Sequence, residues 1–191
     1  MKKFMLGFIT ALLVPAALLY FLLERGYVDL RADITPSQIE TRIAMGAVDA
    51  STERHRPRGA NPVPANEANL MAGLKLYRDN CSVCHGEPSE RYGKLSAQFY
   101  PPVPKFVEDM PMDMSETQDF YIIKHGIRFS GMQAWEKKLS DDEIWKLSAF
   151  LKHMGSLPPA VDREWKKQSI DENPDLERDS HKSKLGEHMH H

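Results

Sequence analysis

The chain has 191 residues, a formal net charge of -2 and 41% hydrophobic residues, enough for one modest domain with extensions. The near-neutral balance leaves no electrostatic footprint for nucleic acid. Two cysteines in all, three positions apart, exclude a disulfide framework and a zinc site built on four thiolates.

Met1-Lys2-Lys3 is followed by an apolar run from Phe4 to Leu23, interrupted only by Gly7, Thr10 and Pro15. A hydrocarbon core about 30 Å thick takes about 20 helical residues to cross, and this run has that length. It ends in Leu22-Leu23-Glu24-Arg25, bulky where a cleaved signal needs small residues. Residues 1–25 are therefore predicted to form an uncleaved transmembrane anchor, in which Pro15 is tolerated. Lys2 and Lys3 favour a cytoplasmic N-terminus, with everything after Glu24 on the far side.

Residues 26–65 are predicted to be a linker. Within it Thr35 as N-cap and Pro36 at the first helical position start a short helix ending near Met45, with Ile39, Ile43 and Ala44 along one side. Arg54, Arg56 and Arg58, interleaved with Pro57, Pro62 and Pro64, read as extended, solvated chain.

Residues 66–160 carry the signals of a folded domain. A helix starting near Asn66 places Leu70, Gly73, Leu74 and Tyr77 on one stripe running into Cys81. Ser115 with Gln118 three positions on is a capping box for a second helix ending near Gly126. Ser140 with Glu143 opens a third, whose buried face is Ile144, Leu147, Ser148 and Leu151, widened by Trp145 and Phe150. No alternating strand pattern intervenes, so the fold class is all-α with long loops. Residues 161–191 turn polar and end in a histidine-rich run that includes His188, Met189, His190 and His191. This stretch is predicted to be a disordered tail.

Cys81-Ser82-Val83-Cys84-His85 is a Cys-x-x-Cys-His sequence, the attachment signature of c-type haem. Each thiol adds to a haem vinyl group, and the adjacent imidazole is carried under the iron as proximal ligand. The competing thioredoxin-like dithiol would want a strand before the motif and an α/β surround; a helix precedes it here. Zinc lacks a second ligand cluster.

At these residues the chain resembles the class I c-type cytochromes, over about residues 66–158. That family's first helix carries a glycine and an aromatic one turn apart, where the terminal helix crosses. Gly73 and Tyr77 sit at those positions, with Phe150 as the partner. Tyr100-Pro101-Pro102-Val103-Pro104 is similar to the family's proline-rich loop, in which a proline carbonyl accepts a hydrogen bond from the ligating histidine; the sequence leaves open which proline does so. The segment Gly126-Ile127-Arg128-Phe129-Ser130-Gly131-Met132-Gln133-Ala134-Trp135 resembles the family's Gly-Met-Pro-Ala-Trp loop, whose methionine is the second axial ligand. The departure is Gln133 in place of proline. The resemblance implies a small cytochrome c fold around one covalent haem c, held by Cys81 and Cys84. Its axial iron ligands would be His85 and Met132, and Tyr100, Pro101, Arg128 and Trp135 would be haem surroundings, the last two as propionate partners. Met110, Met112 and Met114 read instead as apolar cover for a haem edge, and His125 as a helix end in solvent.

Haem iron with both axial positions filled suits one-electron transfer, not catalysis. The implied protein is a non-enzymatic, membrane-tethered carrier between redox partners, or the electron-transfer subunit of a membrane complex. Anchor and haem motif both place it on the periplasmic face of a bacterial inner membrane. Two alternatives remain at this level: a haem enzyme or gas sensor with a displaceable sixth ligand, and a metal-handling protein that uses the histidines of the tail.

Overall fold

The computed structural model describes residues 2–29, 31, 34–88, 95, 96, 99, 103–106 and 114–172. Every regular element among them is an α-helix. The chain divides into two units, Met1–Ile34 and Thr35–His191.

The first unit is α1, Lys2–Glu24. It is long and apolar enough to cross a membrane, and its large side chains are exposed along its length, from Phe4 at 79% to Leu23 at 54%. The helix stops where Gly26 takes φ 69°. Tyr27 N–H then donates to Leu22 O and Gly26 N–H to Leu23 O, the paired bonds of a Schellman end that satisfies two terminal carbonyls. Glycine adopts that φ without a steric penalty.

The second unit opens with α2, Gln38–His55. Its N-cap is Ser37, whose Oγ accepts from Glu40 N–H, and not Thr35. The helix runs ten residues beyond the predicted end at Met45 because half-buried Val48 and buried Thr52 lie one turn apart on its packed side. At its end the imidazole of His55 stacks on Tyr121 at 6.0 Å. Arg56, expected in a solvated linker, instead grips Glu53 with two 2.8 Å bonds and Thr117 Oγ1 with one of 3.0 Å. Arg54 and Arg58 stay exposed. Further on, Asn61 donates to Trp145 O, so this stretch is fastened to the helical core.

That core is built by α3 (Glu67–Asn80), α5 (Glu116–His125) and α6 (Asp141–His153). Asn66 caps α3, and the predicted capping boxes of Ser115–Gln118 and Ser140–Glu143 both form. Leu70, Leu74 and Tyr77 of α3 and Ile144, Leu147 and Phe150 of α6 are almost fully buried, each such side chain adding roughly 1.5–3 kcal/mol. The helices touch at Gly73, where a β-carbon would press on Lys146 O and lie 2.7 Å from Phe150 Cβ. Tyr77 meets Phe150 with ring centroids 5.6 Å apart.

A further helix, α7 (Pro159–Glu172), occupies the start of the stretch predicted to be disordered. Val161 and Trp165, one turn apart, are buried, and the indole meets both Tyr77 and Phe150 edge-on at 5.5 Å. Arg78 of α3 donates to the carbonyls of Glu164 and Trp165. Two apolar residues among polar ones are enough here because both enter an aromatic cluster that already exists. Residues 173–191, with the terminal histidines, lie outside the described residues.

Candidate functional site: the Cys-x-x-Cys-His turn and the Met132 loop

Helix α3 delivers Cys81 directly to the site. Cys81 N–H still donates to Tyr77 O, and the chain then makes the single helical turn α4, Ser82–His85. His85 N–H and Cys84 N–H both return to Cys81 O, at 2.9 and 3.1 Å, so the two cysteines and the histidine share one turn. Gly86 ends it at φ 81°, and its carbonyl accepts a 2.7 Å bond from buried Tyr77 Oη. The next residue, Glu87, is buried against Arg78 at 3.6 Å. The turn is thus held from behind by two consecutive residues of α3.

Cys81 and Cys84 form no disulfide with each other. Burial pushes Cys81 up to about 12 and raises Cys84 as well. A redox-active Cys-x-x-Cys needs the opposite, a depressed pKa that supplies thiolate, so the local physics disfavours the dithiol chemistry weighed above. Nor is there a metal-binding group of three or more His, Cys, Asp or Glu among the described residues.

His85 is oriented by the chain. Its Nδ1 lies 2.9 Å from Pro104 O; a carbonyl only accepts, so Nδ1 carries the proton and Nε2 presents a lone pair. Phe106 stacks on the ring at 4.1 Å and 6°. Burial lowers the imidazole pKa, outweighing the opposing effect of the Pro104 bond, and so favours the neutral ring that binds metal. Sequence reasoning left open which proline accepts this bond, and it missed Phe106, whose only signal was an aromatic just past the proline run. Tyr100 and Pro101 lie outside the described residues.

Met132 sits in a loop closed on itself. Helix α5 ends at Gly126, φ 68°, where a β-carbon would lie 2.6 Å from Met132 O and 2.7 Å from Ala134 N. Ile127 N–H donates to Met132 O. Ser130 Oγ donates to Ile127 O and accepts from Met132 N–H. Exposed Gln133 does not prevent this closure. The Met132 side chain is partly buried against the core, and buried Trp135 anchors the loop's far end through its N–H to Ile123 O and Lys124 O. Arg128 and Phe129 are exposed at the tip, Phe129 at 94% and with φ 60°.

The rival ligands fall elsewhere. His125 is at the exposed end of α5, 3.9 Å from Glu136. Met114 is half-buried at the entry to α5, its carbonyl accepting from Lys152; Met110 and Met112 are outside the described residues.

A one-turn pair of thiols with an adjacent, pre-oriented neutral imidazole, hung on a three-helix core, defines a c-type cytochrome domain. Residues 68–151 match the family model described as cytochrome C oxidase, cbb3-type, subunit III. The match runs from the first turn of α3 almost to the end of α6; α1, α2 and α7 lie outside it. A domain of this class carries covalent haem c and transfers electrons. The residues present fit that group: both cysteines share one turn with the histidine, and the imidazole already has the tautomer that metal ligation requires.

Proposed function

We propose that the protein is a membrane-tethered cytochrome with one haem c, passing single electrons between redox partners at the periplasmic face of a bacterial inner membrane. The observation that carries this reading is the His85–Pro104 bond within the Cys81–Cys84–His85 turn, which leaves Nε2 available. When bound, the haem supplies a one-electron iron couple. Cys81 and Cys84 fix it covalently. His85, held by Pro104 O and Phe106, would hold the iron through Nε2. Met132, presented by a loop that its own hydrogen bonds and Gly126 keep closed, would be the second residue to hold the iron. Trp135 holds that loop from the core side, and Arg128, exposed at the tip, would be the propionate partner. With two cysteines in the chain, the stoichiometry is one haem.

The apolar helix α1 is the anchor, and Lys2 and Lys3 keep its start in the cytoplasm. Carriers of this kind meet donor and acceptor through small, transient interfaces. The family match supports an oxidase or a related membrane complex as the redox partner.

The test is the protein isolated from its own membranes. Intact mass should equal the polypeptide plus one haem, and Cys81→Ala with Cys84→Ala should abolish covalent retention. The ferrous protein should bind carbon monoxide slowly and incompletely at neutral pH. Rapid, complete binding would favour the gas-sensor reading and sink this one.

A further inference from the structure

Helix α2 has two sides with opposite fates. Val48, Thr52 and His55, spaced i, i+4, i+7, mark the packed side: Val48 is half-buried, Thr52 is buried, and His55 stacks on Tyr121 of α5. Half a turn away, Ile39, Ile43, Gly46 and Ala50 follow one another at i, i+4, i+7, i+11, the repeat of a single helix face. That face is bare. Ile39 is 71% and Ile43 67% exposed, Ala50 is exposed, and a β-carbon at Gly46 would meet nothing within 4 Å. A helix already fastened through Glu53, His55 and Arg56 has no need of two exposed isoleucines for its own stability.

Three occupants come into question: lipid, a second copy, or another protein. Lipid is disfavoured by charge. Over Gln38–His55 the helix has Arg42 and Arg54 against Glu40, Asp49 and Glu53, 2 minus 3, net -1, with no lysine, tryptophan or phenylalanine. Helices that lie in the headgroup region are instead rich in basic residues and carry large apolar ones. The face is also small. Two isoleucines with a glycine and an alanine fall far short of the roughly 800 Å² per partner of a free-standing complex. It gains meaning only if something else supplies the local concentration. Residues 25–37 join α1 to α2, at most about 47 Å of extended chain, so a membrane-inserted α1 supplies it. Gly46 and Ala50 at the centre suit close approach of another helix backbone, the use small residues serve in helix pairs.

We propose that the Ile39–Ile43–Gly46–Ala50 face of α2 docks against a helix of an integral-membrane partner protein and holds the chain beside it. This rests on the membrane-tethered reading above. The experiment uses the full chain in native membranes, with a photo-crosslinking residue at position 43 and, separately, Ile39→Glu/Ile43→Glu. The wild type should run on a native gel as a large haem-staining complex. The crosslink should join it to one multi-span protein of that complex, and the double variant should lose at least tenfold of the complex-bound fraction. Ile39→Ala/Ile43→Ala should give a smaller loss in the same direction.

The variant must still pellet with membranes and keep the wild-type ferrous spectrum. A wild type lacking the haem spectrum or membrane retention would overturn the tether reading itself. If those hold, an adduct at twice the chain mass would assign the face to a second copy, and a lipid-only adduct would assign it to the bilayer surface. A double variant that stays in the complex would overturn the docking proposal outright.

Discussion

Replacing Trp165 with alanine should destabilise the haem domain by about 4 kcal/mol, although the residue lies outside the matched family region. Removing a buried tryptophan typically costs about 3–5 kcal/mol in transfer and cavity terms. Trp165 is 5% exposed and meets two buried rings, Tyr77 and Phe150, edge-on; each such pair adds about 0.5–1.5 kcal/mol beyond burial. Relaxation at the domain edge offsets part of this, because α7 can shift against α3. At about 2–4 °C per kcal/mol for a unit of this size, Thr35–His191, the midpoint should fall by about 8–16 °C. The assay is thermal and denaturant unfolding of the oxidised holoprotein, followed by far-ultraviolet circular dichroism and by the haem band. A loss below about 1 kcal/mol would mean that α7 is not an integral part of the core, and the account of Tyr77 and Arg78 would fall with it.

Gly73→Ala should cost about 1–3 kcal/mol by overpacking, since its methyl would meet Lys146 O and Phe150 Cβ at the helix crossing; an unfolding midpoint equal to wild type would show that the helices do not touch there. Asp119, buried on α5 with one carboxylate oxygen lacking a partner, has its pKa raised to about 7, chiefly by burial, against the lowering influence of Lys152. The native state therefore binds more protons than the unfolded chain between the ordinary Asp value near 3.9 and about 7, so this residue's contribution falls as pH rises through that window. Asp119→Asn should accordingly gain up to ~4 kcal/mol at pH 8 relative to its effect at pH 4, at about 1.4 kcal/mol per pKa unit. Denaturant titrations at both pH values check it, and an equal effect at both refutes the shift.

The parts that could be read in advance share a cause. The capping boxes at Ser115 and Ser140, the Leu70–Tyr77 stripe and the Cys81–His85 motif are all local patterns, where spacing along the chain decides geometry. What escaped was decided by distant partners. Helix α2 outlasts Met45 because Val48 and Thr52 find cover on its packed side and His55 stacks on Tyr121 of α5. Arg56 leaves solvent because Thr117 and Glu53 await it. Helix α7 forms because Val161 and Trp165 reach rings supplied by α3 and α6. In the proposed site, Cys81, Cys84, His85 and Met132 are candidates that motif and resemblance suggest. Pro104 is not one of them, since three prolines of one run compete for a single imidazole and only the folded loop selects among them. Gly26 is a different case. Its role as the stop of α1 was open to inspection, being the first glycine after the apolar run.

As proposed, His85 and Met132 together hold the haem iron and close it. The most direct measurement is the red-edge absorption spectrum of the oxidised full-length protein beside that of Met132→Ala. A sulfur-to-iron charge-transfer band present in the wild type and absent from the variant, with carbon monoxide binding made fast by the substitution, is the predicted result. A band that survives the substitution would place a different sulfur on the iron, and no band in the wild type would mean that methionine is not the ligand.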